Sequence, residues 1–383
     1  MRNWQKHVLL VLGWYDYRLH KGIAKYAQEH GWHLSANLAR ERVIPWGWKG
    51  DGVLAWLGAG DDLAEFVESL RCPTVDFSMR RPNRRYARVL QDHAHTARLV
   101  AEHFLTRGFQ HYAFFSDSDN WSFEERGRGF LAALKAVGFD CTWLKWRVSA
   151  RLRSGREEWS RRRAWLATRL RQAPKPLALF AANDQLALDV LEVCEAVRLS
   201  VPDDVAIVGA GDYLMAADAM RTPISSVDTD LEEQGYQGAA LLDRLMRGEP
   251  APCEPIRISP ARVITRKSSD ILAVNEPRMG RALRFINEHF HEPIGVDDVA
   301  RAAAMSRRAL HQAFLDHLGR APGEQLRHVR LEHAKKLLAE TGEKVASVAE
   351  ASGYQSANSF CIAFTKAEGR SPAAFRQSTR HEA

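Results

Sequence analysis

The feature that most constrains this chain is a repeat near its C-terminus. Val299-Ala300-Arg-Ala-Ala-Ala304-Met305-Ser306 is followed by Leu310 and Phe314, and Val348-Ala349-Glu-Ala-Ser-Gly353-Tyr354 by Phe360 and Phe364. The first halves match at an offset of 49 residues and the second halves at 50, so one extra residue sits in the second turn. Each copy reads helix, tight turn, helix. Ala304 or Gly353 allows the sharp turn, and the apolar residues pin the inner face. Ser306 is a natural N-cap for the first copy's second helix, and Ser356 for the second copy's, each hydroxyl meeting backbone N–H groups that lack a helical partner.

The outer face carries Arg307, Arg308, His311 and Gln312 in one copy and Gln355, Ala357, Asn358 and Ser359 in the other. With the capping Ser306 and Ser356, these are the candidate contacts to phosphates and base edges of double-stranded DNA. The two units are expected over about 296–317 and 345–366. A long helix, about 324 to 340, joins them. At ~1.5 Å per residue it is about 25 Å long. That length suits two recognition helices placed about one DNA turn, ~34 Å, apart.

Further spacings accompany the repeat: Leu310-x-x-x-Phe314, Gly319-x-x-Pro322, Arg330-x-x-x-Ala334-x-x-Leu337-Leu338, Phe360-x-x-x-Phe364 and Gly369-x-Ser371-Pro372-x-x-Phe375-Arg376. With them, residues 279–378 resemble the AraC/XylS-type DNA-binding domain. Many members of that family carry arginine between the Leu and Phe and between the two Phe residues. This chain has Gln312 and Ile362 there, so contacts at those places are not carried over.

Residues 1–267 have a different texture. Short apolar runs, beginning with His7-Val-Leu-Leu-Val-Leu12, alternate with amphipathic stretches at 61–70, 92–106, 124–137, 157–172, 184–197 and 230–247. Such alternation predicts parallel sheets covered by helices, and so many units predict two of them. Residues 256–264 are expected to form a last strand, 268–278 a linker, and 279–383 the all-α domain. Ligands in this architecture bind on loops beyond the carboxyl ends of the strands.

Asp92-x-x-x-x-Ala97, Arg126-x-x-Gly129-Phe130, Ala182-Asn183-Asp184-Gln185-Leu186-Ala187 and Pro202-x-Asp204-Val205-Ala206-Ile207-Val208-Gly209 resemble the sugar-sensing domain of LacI/GalR-type repressors, a two-lobed fold related to periplasmic binding proteins. The resemblance implies an effector held by Arg126 and Asn183, with Asp184 contacting it or bracing its loop. Asp16, Asp92 and Asp212 are further polar candidates. Tyr15, Phe77 and Trp121 are candidate aromatic covers for the C–H face of a sugar.

LacI/GalR repressors carry their DNA-binding helices at the N-terminus, whereas here they lie at the C-terminus. That order, at 383 residues, resembles the xylose-operon activator type. It implies a sugar-responsive regulator, expected as an activator, with D-xylose the leading effector. Other pentoses, hexoses, a purine, and a repressor's sign stay open. A homodimer acting with RNA polymerase on repeated half-sites is expected.

The net charge of +7 permits an anionic partner without requiring one. No P-loop, nucleophile elbow or His-Glu-x-x-His pattern appears, so no enzyme is expected. The five cysteines form no CxxC pair, the histidines match no ligand spacing, and no metal or cofactor is assigned. Neither a signal peptide nor a membrane span is read, which makes the cytoplasm the expected location.

Overall fold

The computed structural model describes residues 5–36, 43–57, 61–79, 86–117, 120–147, 155–213, 221–271 and 277–381. Strands buried on both faces need helices above and below, and the first 271 residues meet that need twice. In the first lobe β1 (His7–Leu12), β2 (His33–Ser35), β3 (Gly52–Trp56), β4 (Thr74–Asp76), β5 (Ala87–Gln91) and β11 (Ile256–Ile258) form a sheet in the order β11-β5-β4-β3-β1-β2. All of its pairings are parallel. Helices α1 (Tyr17–Glu29), α2 (Asp62–Leu70) and α7 (Leu231–Met246) cover it.

The second lobe orders β12 (Arg262–Ile264), β10 (Ser225–Asp228), β9 (Val205–Ala210), β8 (Leu177–Ala181), β6 (His111–Ser116) and β7 (Cys141–Lys145) side by side. Only β12 runs antiparallel to its neighbour. Helices α3 (His93–Leu105), α4 (Trp121–Lys135), α5 (Gly155–Gln172) and α6 (Asp184–Ala196) pack on it.

Among the described residues the chain crosses between lobes three times, from β5 to α3, from β10 to α7, and from β11 to β12. The third crossing corrects the single strand expected over 256–264. Pro260 has no N–H for a ladder, and the run divides into two three-residue strands in different sheets. At the hinge the Asp92 N–H donates to the Ile258 carbonyl (2.8 Å) and the Ala261 N–H to the Asp228 carbonyl (2.9 Å).

The start of the stretch read as a linker also belongs to the second lobe. Ser268 and Ser269 are fully buried. The Ile207 N–H donates to the Ser268 carbonyl (2.8 Å), and the Ser268 hydroxyl donates to the Ile207 carbonyl (2.6 Å). A polar Lys-Ser-Ser run looks like linker from composition, yet here it satisfies the edge of β9. Residues 272–276 of that stretch lie outside the described residues.

The C-terminal domain is all helix: α8 (Pro277–His289), α9 (Val296–Ala302), α10 (Arg307–Leu318), α11 (Pro322–Glu340), α12 (Val345–Ala351), α13 (Ala357–Glu368) and α14 (Pro372–His381). It has two small cores. Leu283, Ile286, Val299, Leu310 and Phe314 fill the first, and Ala334, Leu338, Val348, Phe360 and Phe364 the second. Each fully buried Leu or Phe contributes about 1.5–3 kcal/mol. Helix α11 spans both, giving Leu326 to one and Ala334 and Leu338 to the other.

It starts at Pro322, two residues before the expected start. Proline is preorganised for the first helical position, and the Glu324 carboxylate accepts from the Ala321 N–H (2.9 Å). The Arg330 guanidinium fastens α11 to the preceding connection, donating to the carbonyls of Phe290 (2.8 Å), Glu292 (2.8 Å) and Ile294 (3.3 Å).

The helical domain docks on the second lobe. His317 at the end of α10 meets the Gln110 amide (2.7 Å), and His328 of α11 meets the Glu102 carboxylate of α3 (2.9 Å).

Candidate effector cleft and duplex-reading face

Where the lobes meet there are two polar clusters, with Asp184 electrostatically in reach of both. The first centres on Arg126 of α4, which is buried. Its guanidinium donates to the Ala182 carbonyl (2.5 Å), the Gln91 amide oxygen (3.0 Å) and His93 Nδ1 (3.2 Å). No carboxylate pairs with it among the described residues, and burial pushes its pKa down to about 10. Burial, reinforced by Arg126 and Arg257, also holds His93 well below the usual imidazole range, so it is the neutral ring that accepts this bond. The Trp121 ring lies edge-on to His93 at 5.1 Å and beneath Arg257 at 5.8 Å. A buried cation on neutral acceptors beside an indole face suits a neutral ligand rich in hydroxyl groups.

The second cluster spans the lobes. Asp16 caps α1, and its carboxylate accepts from the Arg18 N–H (2.9 Å) and guanidinium (2.9 Å). Arg18 then reaches across to the carbonyls of Gly211 (2.7 Å) and Asp212 (3.1 Å) in the second lobe. Burial works against its charge, but Asp16, Asp212 and Asp228 outweigh burial and raise its pKa. Trp14 and Tyr213 also meet across this gap, with ring centroids 6.1 Å apart.

The expected effector residues divide accordingly. The structure brings Trp121 and Arg126 together at one cluster, and Asp16, Asp184 and Asp212 at the other. Asp184 is fully buried, accepting from the Ser226 hydroxyl (2.6 Å) and the Tyr213 N–H (2.7 Å). Burial pushes its pKa up to about 6. Of the two roles expected for it, the loop brace is the one its bonds describe. Asp212 is turned to Arg266, 2.7 Å away.

Asn183 caps α6, its side-chain oxygen accepting from the Leu186 N–H (2.9 Å), and the amide nitrogen has no partner among the described residues. Asp92 caps α3 in the same way, accepting from the His95 N–H (2.8 Å). Tyr15 is exposed, its hydroxyl on His20 (3.0 Å). Phe77 corrects the expectation of an aromatic cover. It is 2% exposed and sits inside the first lobe against Gly238 of α7, because β4 turns this position onto the helix layer.

Sequence reasoning missed Gln91, His93, Arg18 and Arg257. Gln91 and His93 flank the Asp92 motif, and Arg18 follows the capping Asp16 by two residues. Those adjacencies were the available signal.

On the helical domain, Ser306 caps α10 by accepting from the Ala309 N–H (3.1 Å), and Ser356 caps α13 by accepting from the Ser359 N–H (3.1 Å). Arg307, Arg308, His311 and Gln312 are all exposed. Arg307 makes a loose pair with Asp297 (3.4 Å), both largely in solvent, and Gln312 donates to Asp316 (2.8 Å). In the second unit Gln355, Asn358 and Ser359 are exposed and Ala357 is half-buried. Both outer faces are therefore open to a partner.

One group of metal-ligand type does occur. Glu102, His328 and Glu332 bring ligand atoms within 4.8 Å of one another where the helical domain meets the sensor. His328 already meets Glu102 across the domain boundary (2.9 Å) and Lys335 pairs with Glu332 within α11 (2.6 Å), so these ligand atoms already have protein partners. Among the described residues no helix is long and apolar enough to cross a membrane.

Residues 101–269 match the periplasmic binding protein-like domain family, and residues 299–378 the helix-turn-helix domain family. The chain is 29% identical over 280 residues to the xylose operon regulatory protein of Escherichia coli strain K12, covering 72% of this chain and 69% of that one. It is 26% identical over 292 residues to the protein of the same description from Haemophilus influenzae, covering 75% and 74%. Among solved structures, one described as a xylose-binding transcription activator, xylR, superposes with a TM-score of 0.60 at 24% identity, covering 99% of both chains. The two-lobed sensor followed by a helical reader is thus a shared whole-chain architecture.

Proposed function

We propose that this chain, a sugar-responsive, DNA-binding transcription regulator that belongs with the AraC-type proteins carrying a LacI-like sensor, takes a pentose of the D-xylose kind between its lobes and thereby activates sugar-catabolic genes. The observation that carries the pentose is Arg126: a buried guanidinium with no paired carboxylate, set among neutral acceptors beside Trp121. Hydroxyl groups on adjacent carbons of a small sugar are suitable acceptors for such a group and donors to Gln91, and the indole covers a C–H face. The xylose operon relatives point to the same class of ligand.

Closure of the lobes completes these contacts, so sugar binds the closed form better and shifts the population towards it. Arg18, which joins the lobes at the second cluster, favours the same form. The helical domain rides on the second lobe, so lobe motion reorients the duplex-reading face in a homodimer. Paired domains then engage repeated half-sites in the cytoplasm beside RNA polymerase, with Arg307, Arg308, His311, Gln312, Gln355, Asn358 and the capped N-termini of α10 and α13 on the duplex.

Titration calorimetry of the full chain with D-xylose, L-arabinose, D-ribose, D-glucose and hypoxanthine tests the reading. A pentose is expected to bind, and Arg126→Met to weaken it by about 10–100-fold, the worth of charge-assisted hydrogen bonds. Trp121→Ala, at a half-buried position, is expected to weaken it without unfolding the lobe. Binding of hypoxanthine and no sugar, or unchanged pentose affinity in both variants, overturns the assignment.

A further inference from the structure

The outer face of α13 holds a residue that neither a phosphate nor a hydrogen-bonding base edge can use. Ile362 is 63% exposed, while Phe360 and Phe364 on either side of it are fully buried. Its counterpart in α10, at the offset of 50, is Gln312, which is polar and tied to Asp316. Residues four apart on a helix lie one above the other, so Ile362 shares its face with Asn358. The Asn358 side chain is exposed and makes no hydrogen bond among the described residues. In the major groove the one apolar group that distinguishes base pairs is the thymine C5-methyl, and an asparagine amide matches the N6 and N7 edge of adenine.

We infer that Asn358 and Ile362, one turn apart on the exposed face of α13, read an A·T step in the half-site, the amide on adenine and the isoleucine against a thymine methyl. This rests on the duplex-reading face proposed above. It makes the two halves of the bound site differ in kind. The first unit presents charged donors suited to guanine and phosphate. The second presents uncharged residues suited to A·T pairs over its first two turns, with Lys366 one turn further on, and Ile362 is its specificity-determining residue.

Duplexes are selected from a random pool with the full-length chain and resynthesised with each thymine replaced in turn by deoxyuridine, which removes the methyl and nothing else. At one thymine the replacement is expected to weaken wild-type binding about fourfold, the effect of one lost methyl contact. The same replacement is expected to leave Ile362→Ala unaffected, while Gln312→Ala still responds to it. Asn358→Ala is expected to lose its preference for adenine at an adjacent pair. The unfolding midpoint of Ile362→Ala should match wild type, since the side chain is exposed. If selection yields a specific duplex and no thymine shows a loss that Ile362→Ala abolishes, the inference is wrong and the duplex-reading face stands. If the wild-type chain selects no duplex at all, that face is wrong too and the inference falls with it.

Discussion

The two helix-turn-helix units have the same skeleton and different neighbours. Both second helices are capped by serine, Ser306 and Ser356, and both end on a glycine, Gly319 and Gly369. Both hold two core residues four apart, Leu310 with Phe314 and Phe360 with Phe364. The differences lie outside that frame. The first unit's turn residue, Ala304, is exposed, whereas Gly353 is packed against the connection after α8. The first outer face begins with two arginines, and the second begins with uncharged residues and has Ile362 exposed. Repetition therefore marks what each unit needs to fold, and its failure marks what each unit touches.

The turns offer the sharpest break of this comparison. Both turn residues have left-handed backbones, with φ of +53° at Ala304 and +77° at Gly353. A methyl group at 353 would stand 2.1 Å from the Phe290 carbonyl oxygen, itself held by Arg330. Gly353→Ala must therefore move backbone as well as accept the strained φ, and is expected to cost about 2–4 kcal/mol. Ala304→Gly relieves strain but frees the unfolded chain, and is expected to stay within about 1 kcal/mol of wild type. Urea unfolding of the full chain, followed by the helical signal, measures both. Equal effects would mean that the two turns are equivalent.

The outer faces give the next largest contrast. Arg308 is exposed and has no ion-pair partner among the described residues, and Arg308→Ala is expected to weaken duplex binding by about 1–3 kcal/mol. Loss of its charge should also reduce the slope of log affinity against log salt by about 1 if it meets a phosphate. Asn358→Ala removes no charge, so it should change sequence preference and leave the slope alone. Gel-shift titrations over a salt series separate the two. A reduced slope in Asn358→Ala would erase the distinction drawn between the units.

What was legible in the sequence follows the same division. The repeat, the serine caps and the strand–helix alternation all arise from short-range patterns, and the structure forms them close to where those patterns lie. Contacts set by tertiary geometry were not legible. Phe77 looks like any aromatic at a strand end until α7, which begins more than 150 residues later, is seen to cover it. The 256–264 run reads as one strand because nothing local says that its halves belong to different lobes, although Pro260 was a hint. Asn183 caps α6 with its side-chain oxygen, a local use that its place just before a helix allows and that leaves the amide nitrogen for an effector. Arg18 joins two segments nearly 200 residues apart, which no local pattern carries.

The smallest contrast concerns the glycines that end the two second helices. Gly319 and Gly369 have φ of +64° and +69°, so alanine at either place meets a left-handed backbone and is expected to cost about 1 kcal/mol. Their surroundings differ. A methyl group at 369 meets nothing within 4 Å, whereas at 319 it would stand 3.0 Å from the Val137 carbonyl oxygen of the sensor. Gly319→Ala is thus expected to press the helical domain away from the second lobe and loosen the Gln110–His317 and Glu102–His328 contacts, and Gly369→Ala to leave them intact. Hydrogen exchange across 93–105 and 322–335 should rise in the first variant and stay at the wild-type level in the second. The ratio of duplex affinities with and without sugar should fall in the same order, because a loosely docked reader no longer follows the lobe that carries it. If both variants kept wild-type exchange and the wild-type sugar ratio, this docking would not be the route by which the sensor reaches the first unit.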